Sequence, residues 1–278
     1  MADGRDVPFA ALRARLVYHA DGMETVTPRG IVYRQTPDGG LPMAIYAPPG
    51  LRADERRPAV LLVHGGPIEP ELPPATEWGG HRDFGALAAV SGWVGVSFKH
   101  RFFNYDALEQ AEEDIGAAAA YVRAHAEELG VDPDRLCLWA FSGGGPFLAR
   151  ALREPLTYVR CLVAYYAVMD LRPMASAAER ADDAAMARLA RYSPAAVLEE
   201  PGSGSGAPPT LLARAGRDHP ALNAGIDAFT QAALTANITL DVLNHANGQH
   251  SFDTRDDTAR TREIIAHTLT FIRARFEG

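Results

Sequence analysis

The sequence contains little cysteine. Only two cysteines occur in 278 residues, Cys137 and Cys161, and each lies inside an apolar run. Neither belongs to a C-x-x-C motif or to a nearby His/Cys cluster, which excludes the usual spacing of a metal-binding pair. Because free cysteine commonly behaves as a small core residue, we expect two buried thiols in neighbouring strands and no metal.

Long apolar runs and basic runs are also missing. No stretch of about 18 or more apolar residues occurs, so we predict no transmembrane helix. The chain starts with the polar sequence MADGRD, and no apolar signal segment follows it. No Lys/Arg-rich run offsets the formal net charge of -8, which makes nucleic acid and anionic membranes poor partners. We therefore expect a soluble, cytoplasmic protein.

The chain has enough apolar residues for a substantial core, and their arrangement predicts strands. Hydrophobic residues make up 47% of it. A hairpin is predicted at 31–35 and 41–46, because the intervening TPDGG supplies the fixed φ of Pro and the permissive φ of Gly. The continuous apolar runs that follow suit strands buried on both faces. These runs lie at 59–63, 93–98, 136–140, 159–167, 210–215 and 238–243.

Helical patterns separate these strands. They lie at 106–129, 146–154, 220–234 and 259–276. Alternation of strand and helix predicts an α/β fold, with a mainly parallel sheet and helices on both faces, in one domain spanning 1–278. The Ala-, Arg- and Asp-rich residues 172–200 are predicted to be helical and to form a small cap insertion. Residues 201–209, PGSGSGAPP, have the composition of a flexible loop.

The sequence WAFSGGGP, which contains Ser142, follows a predicted buried strand and opens a helix. A serine on such a sharp turn projects its hydroxyl above the sheet edge, and small residues must flank it. The G-x-S-x-G pattern is kept here with Ala140 in the first position and Gly144 in the second. The competing interpretation is a serine N-cap at a Gly-rich helix start. A phosphate-binding P-loop is excluded, because no Lys-Ser/Thr follows the glycines.

The sequence HGGP begins at His64, directly after the apolar run at 59–63. Acyl transfer develops a negative oxygen, and backbone N–H groups aimed at that oxygen stabilise it. One donor is expected from the residue after the nucleophile, Gly143, and another from this loop. Pro67 has no N–H, so the loop donor is Gly66 or Gly65, and we favour Gly66. We interpret His64 as a residue that orients the loop.

The general base and its acid are predicted from two further loops. The sequence GQHSFD follows the last predicted strand and supplies His250, whereas the alternative base, His245, lies too close to the strand end. The acid should precede the base in the chain, and Asp218 follows the seventh predicted strand. Asp218 could instead cap the helix that starts at Pro220, and Asp170 is the rival acid.

These four segments together resemble the α/β-hydrolase superfamily, in its dienelactone-hydrolase-like and esterase/lipase branch. The resemblance extends from the hairpin near Gly30 to the C-terminal helix. It implies an eight-stranded, mainly parallel sheet with Ser142, Asp218 and His250 as a catalytic triad at its carboxyl edge. It also implies that neither a metal nor an organic cofactor takes part.

The departures from that family pattern limit what can be transferred. Ala140 replaces a glycine, Pro67 replaces the third glycine of the lipase-type HGGG, and no cysteine stands at the nucleophile position. The dienelactone substrate is therefore not carried over. The HGGP form is similar to that of prolyl-oligopeptidase-type peptidases, whose propeller domain this chain is too short to contain.

The sequence thus predicts a serine hydrolase that cleaves carboxylic esters of small to medium acyl groups. The alternatives are a small peptidase or amidase that acts on aminoacyl or formamide substrates, and a catalytically inert binding protein on the same fold. Arg101 and Phe141 are candidate substrate-binding residues, with a structural salt bridge as the competing interpretation of Arg101. The sequence leaves the oligomeric state open, a homodimer included.

Overall fold

The fold is built on one eight-stranded sheet. A computed structural model describes residues 12–154, 156–200 and 202–278. The N-terminal MADGRD and Pro201 therefore lie outside the described residues. The strands are β1 (Arg29–Thr36), β2 (Gly39–Tyr46), β3 (Arg57–Val63), β4 (Val94–Phe98), β5 (Val131–Phe141), β6 (Val159–Tyr165), β7 (Thr210–Ala215) and β8 (Leu240–His245).

The strand order is β1-β2-β4-β3-β5-β6-β7-β8. β2 pairs antiparallel with both β1 and β4, and every other pairing is parallel. The prediction of a mainly parallel, eight-stranded sheet is confirmed. The last strand was misplaced by two residues, because the apolar Ile238 packs into the core from the turn that precedes the strand.

Helices connect the parallel strands. They are α1 (Gly79–Val90), α2 (Leu108–Ala124), α3 (Ala126–Leu129), α4 (Ala149–Arg153), α5 (Ala177–Arg180), α6 (Asp183–Arg191), α7 (Pro194–Glu199), α8 (Pro220–Thr235), α9 (Phe252–Arg255) and α10 (Ala259–Glu277). Short 3₁₀ turns lie at Met23–Thr25, Ala75–Glu77, Tyr105–Ala107, Ser142–Leu148 and Arg172–Met174. No helix in the described ranges combines the length and apolar character needed to cross a membrane.

The sheet separates two hydrophobic cores. In β3, Ala59, Leu61 and Val63 pack into the core on one face, whereas Val60 and Leu62 pack into the core on the other. All five side chains are fully buried. Successive side chains of a strand point to opposite faces, so a strand covered on both sides must be apolar throughout. This explains the continuous apolar run in the sequence.

The two cysteines occupy neighbouring strands. Cys137 in β5 is the register partner of Cys161 in β6, and both are buried free thiols. Burial raises the pKa of the Cys137 thiol well above its usual value. The expectation of two buried thiols in adjacent strands is confirmed, and the thiols pack as core residues.

Residues 172–200 form a 3₁₀ turn followed by α5, α6 and α7, in agreement with the predicted helical character. Two hydrogen bonds of 2.7 and 2.6 Å tie Arg188 of α6 to Glu109 of α2. Arg172 bridges Asp170 and Glu199, and α7 packs against α4 and α8. The segment is thus fastened to the helical layer beside the sheet.

Candidate active site

Four loops meet at one edge of the sheet. The carboxyl ends of parallel strands lie at the same edge, where ligands of α/β folds bind. Ser142 directly follows β5, the His64 loop follows β3, Asp218 follows β7 and His250 follows β8. Residues that are far apart in the chain are thereby brought together by strand order alone.

A continuous hydrogen-bonded relay joins three of these side chains. The Oγ of Ser142 lies 2.9 Å from Nε2 of His250, and Nδ1 of His250 lies 2.6 Å from Oδ2 of Asp218. The Asp218 side chain is 5% exposed and that of His250 is 34% exposed. The second oxygen of Asp218 accepts a hydrogen bond from the N–H of His219 at 2.7 Å. This is the geometry of a nucleophile, a base and an orienting acid.

The alternative base and acid lie elsewhere. His245 is the last residue of β8, and its Nε2 contacts the hydroxyls of Thr258 and Thr261 at 3.3 and 3.1 Å. Asp170 forms an ion pair with Arg172 at 2.7 Å. Both alternatives to the predicted triad members are therefore engaged in structural contacts.

The turn at Ser142 departs from ordinary backbone geometry. Its φ is 50°, in the left-handed region that favours glycine. The carbonyl oxygen of Ser142 accepts a hydrogen bond from the N–H of Val168 at 2.9 Å, which helps to hold this conformation. Ala140, which replaces the usual glycine, is fully buried in β5, and its register partner in β6 is Ala164. A methyl group therefore fits at this position.

The glycines after Ser142 are required by close backbone approach. A Cβ on Gly143 would lie 2.1 Å from the carbonyl oxygen of Gly66. A Cβ on Gly144 would lie 2.6 Å from a carbonyl oxygen at the end of β3, and one on Gly145 would lie 2.3 Å from that of Val168. Any side chain at these three positions would have to displace neighbouring backbone.

The HGGP loop lies directly against Ser142. A Cβ on Gly65 would be 2.9 Å from Cβ of Ser142 and 3.4 Å from its Oγ. Gly66 is wedged between Gly143 and the ring of Phe102. The three predicted oxyanion donors, Gly65, Gly66 and Gly143, are therefore gathered around Ser142.

His64 supports this loop from below. Its side chain is buried, its Nδ1 donates to the carbonyl oxygen of Gly65 at 2.6 Å, and its Nε2 accepts from the N–H of His100 at 3.3 Å. The two imidazoles stack with centroids 3.6 Å apart. Burial lowers the pKa of His64 to about 4, so the ring is neutral at neutral pH. These contacts agree with the interpretation of His64 as an orienting residue.

A cavity of about 260 Å³ opens at Ser142. Its walls include the aromatic side chains of Trp78, Phe84 and Phe141, so the predicted contact residue Phe141 does face the site. Two residues ahead of the hairpin, Leu12 and Ala14, also line it. Nothing in the sequence pattern pointed to these two, because their position depends on long-range packing.

Arg101 does not reach this cavity. Its guanidinium makes two hydrogen bonds of 2.9 Å to Asp114, and its backbone N–H makes a third of 3.0 Å. Both side chains are buried. The assignment of Arg101 to substrate is therefore corrected to a buried ion pair, which was the competing interpretation.

A short segment that we call the strap, residues 12–17, closes one side of the cavity. Arg15 makes two hydrogen bonds to Asp83 of α1, at 2.7 and 2.5 Å, and the N–H of Leu16 adds a third at 2.9 Å. The N–H of Val17 donates to the carbonyl oxygen of Asp253 at 2.8 Å.

Among the described residues that line the cavity, none belongs to 172–200. The cap role of that segment stays a prediction.

A second buried carboxyl lines the cavity. Asp253 is 2% exposed, and its Oδ1 accepts a hydrogen bond from the hydroxyl of Tyr166 at 2.7 Å. Burial raises the pKa of this carboxyl to about 6. The ring of Tyr166 lies 4.8 Å from that of His250. The sequence analysis included Asp253 in the motif GQHSFD but assigned it no role.

Within the described chain, no group of three or more His, Cys, Asp or Glu side chains could hold a metal.

The sheet order, the sharp turn at Ser142 and the relay at the carboxyl edge are the defining features of an α/β-hydrolase. The BD-FAE family model matches residues 43–191, which is just over half of the chain. The chain belongs to this BD-FAE family of α/β-hydrolase-type esterases. A search of curated proteins found no match.

The chain is also similar to solved structures of a thermophilic esterase, Est2, from the planctomycete Thermogutta terrifontis. The native form matches with a TM-score of 0.73 at 20% identity, over 91% of this chain and 93% of that chain. The propionate-bound form gives 0.72 at 20%, over 91% and 95%. The form phosphoramylated by tabun gives 0.70 at 21%, over 88% and 94%. At this identity the similarity shows the fold.

Proposed function

We propose that this chain hydrolyses carboxylic esters of small to medium acyl groups through an acyl-enzyme on Ser142. The observation that carries the proposal is the relay from Asp218 through His250 to Ser142, which faces a cavity large enough for a small acyl group. Membership of an esterase family supports the same chemistry.

In the first half of the reaction, Oγ of Ser142 attacks the ester carbonyl carbon while Nε2 of His250 accepts the hydroxyl proton. The imidazolium that forms is stabilised by Asp218, whose carboxylate holds Nδ1–H. Collapse of the tetrahedral intermediate breaks the bond to the alcohol oxygen, and His250 returns the proton to that leaving group. The acyl group is now bound to Ser142.

In the second half, a water molecule takes the place of the alcohol. His250 removes a proton from the water as it attacks the acyl carbon, and then protonates Ser142 as the acid leaves. The N–H groups of Gly143 and Gly66 are the proposed oxyanion donors, with Gly65 as the alternative to Gly66. Removal of one such donor typically costs about 10²–10³ in rate.

The size and lining of the cavity support a small acyl group. Its volume of about 260 Å³ lies just below the range of roughly 300–1,000 Å³ that accommodates drug-sized ligands. Trp78, Phe84 and Phe141 contribute apolar surface to its wall. Structures of the similar esterase Est2 contain propionate and butyrate, which are acids of the proposed size.

Covalent labelling tests the proposal. The purified protein is treated with a fluorophosphonate, and the adduct is mapped by mass spectrometry. We expect an adduct on Ser142 that is lost in Ser142→Ala and in His250→Ala. A folded protein that forms no adduct at Ser142 would refute the proposal and favour the inert binding protein.

The acyl group is tested with a matched series of p-nitrophenyl esters from acetate to octanoate, alongside aminoacyl and formyl amides. We expect kcat/KM to be greatest for short chains and lower for every amide. A preference for aminoacyl amides over all esters would instead identify the small peptidase.

The domain organisation and the cellular location are proposed together with this function. One is that the whole chain forms a single domain with 172–200 as an insertion, which predicts a single cooperative unfolding transition. The other is a cytoplasmic location, which the unpaired thiols Cys137 and Cys161 support because disulfides are rare in that compartment. Cell fractionation with an antibody against the protein tests the second.

A further inference from the structure

We propose that Tyr166 and Asp253 form a hydrogen-bonded pair that positions the imidazole of His250, in addition to the contact from Asp218. This inference rests on the proposed function, because it assigns His250 as the base. Both are positioning residues: Asp253 acts through Tyr166, and Tyr166 acts through its ring contact with His250.

Tyr166 is held rigidly at the end of β6. Its backbone has a φ of 38°, and its N–H donates to the carbonyl oxygen of Ala213 in β7 at 2.8 Å. Its side chain is buried, with ring centroids 4.8 Å from His250 and 5.4 Å from Phe252. A non-glycine residue persists in this backbone region only when its surroundings impose it. The ring is therefore a fixed surface beside the imidazole.

Asp253 fixes the far end of that ring. Tyr166 is the one side chain, among those described, that donates a hydrogen bond to its carboxyl group. The backbone of Asp253 is in turn anchored by the N–H of Val17 in the strap. The other groups that favour the charged form of this carboxyl are His250 and the backbone N–H groups of Asp253 and Thr254. Burying a carboxyl group is costly even when it accepts hydrogen bonds, which calls for a role.

The existing contact with Asp218 leaves one motion of His250 unrestrained. A hydrogen bond at Nδ1 fixes the distance to Asp218 but allows the imidazole to rock about the line that joins the two atoms. Such rocking would carry Nε2 away from Oγ of Ser142, which is 2.9 Å away. The Tyr166 ring packs against the imidazole at an interplanar angle of 59° and blocks this motion. Misplacement of catalytic groups by about 1 Å costs up to about 10²-fold in rate.

Tyr166→Phe tests the pair, and Tyr165→Phe is its matched control. Tyr165 is also buried in the same core, and its hydroxyl makes a bond of the same 2.7 Å length, but to Thr268. We expect Tyr166→Phe to lower kcat on a short p-nitrophenyl ester about ten-fold, with KM within about two-fold. Fluorophosphonate labelling of Ser142 should slow by the same factor. Tyr165→Phe should leave both rates near those of the wild type.

Two variants of Asp253 separate the hydrogen bond from general packing. Asp253→Asn keeps an oxygen that accepts from Tyr166, so it should lose much less activity than Asp253→Ala. The double variant Tyr166→Phe/Asp253→Ala should be no slower than Tyr166→Phe alone, since both changes break one interaction.

The possible outcomes distinguish this inference from the proposed function. If the wild type is not labelled on Ser142, the function fails. If the wild type is labelled but Tyr166→Phe behaves like Tyr165→Phe, or Asp253→Asn behaves like Asp253→Ala, only the positioning role is overturned. Circular dichroism and thermal melting of each variant establish that it is folded.

Discussion

Ser142 is the residue at which chemistry and backbone preference oppose each other most directly. Its φ of 50° aims Oγ at His250 but places a residue with a Cβ in a region where glycine is preferred. Left-handed geometry costs a residue with a Cβ about 1–2 kcal/mol, whereas glycine adopts it freely. The proposed nucleophile is thus held in place at some cost to stability.

This conflict predicts that Ser142→Gly is more stable than Ser142→Ala, although both are inactive. We expect a difference in unfolding free energy of about 0.5–1 kcal/mol, because relief of the strain exceeds the greater unfolded-state freedom of glycine. Urea denaturation of the two variants measures it. Equal midpoints, or a more stable alanine variant, would contradict the strain at this turn.

Asp253 gives a second prediction at the residue scale, on pH and stability. Its pKa is raised to about 6 in the folded protein, so the folded state holds a proton that the unfolded chain releases near pH 4. Wild-type stability should therefore fall relative to Asp253→Asn as pH rises from about 4 to about 6, by up to about 3 kcal/mol. Urea titrations of both proteins at pH 4 and pH 7 measure this change. A stability difference independent of pH would rule it out.

At the scale of elements, local sequence patterns predicted most of the strands. The predictions failed where an element is buried on all sides or contains residues that are unusual for its type. β7 has the predicted bounds, because its apolar run is flanked by Pro209 and Gly216. β5 starts earlier than predicted. Its first residues include Asp132, Pro133 and Asp134, and because these residue types are rare in strands, the sequence pattern did not reveal them as part of one. α1 was missed because most of its residues are buried, the polar His81 and Asp83 among them, so its sequence does not separate into an apolar face and a polar face.

The same contrast applies to the site. Ser142, Asp218 and His250 could be proposed from the sequence because each stands in a short motif after a strand. The strap, the wall of α1 and the Tyr166 contact could not, because they depend on packing between segments that are distant in the chain.

The strap predicts a change in acyl specificity. Asp83→Asn removes the charge that binds Arg15, so the strap should move more freely and admit longer chains. We expect the ratio of kcat/KM for octanoate over butyrate esters to rise several-fold. Asp54→Asn, which alters the exposed ion pair with Arg52, is the control and should leave the ratio unchanged. A ratio in Asp83→Asn equal to that of the control would exclude the strap as a specificity element.

At the scale of the whole molecule, buried histidines couple folding to acidity. Burial lowers the pKa of His64 to about 4 and that of His81 to about 3, while His100 is lowered as well. Below about pH 6.5 these histidines bind protons in the unfolded chain but stay neutral in the folded protein. Stability contributed by these rings is present above that pH and is lost as the pH falls towards 4, in the direction opposite to Asp253.

Replacement of one ring should reduce this loss. In His81→Phe we expect the fall in unfolding free energy between pH 6.5 and pH 4 to be smaller than in wild type by on the order of 3 kcal/mol. His19→Gln, at an exposed position, is the control and should follow the wild type. An unchanged pH dependence in His81→Phe would show that this ring does not contribute to it.

The glycines at 143–145 have a consequence for how this site can diverge over evolutionary time. Each is pressed against a carbonyl oxygen of another segment, and Gly143 and Gly66 come from loops that touch each other. Substitution of these glycines would need simultaneous changes in two distant segments, whereas the strap can change one residue at a time. Descendants of such a protein are expected to keep the glycines and to vary Leu12 and Ala14. New substrate preferences would then arise through changes in the strap and not through changes around Ser142.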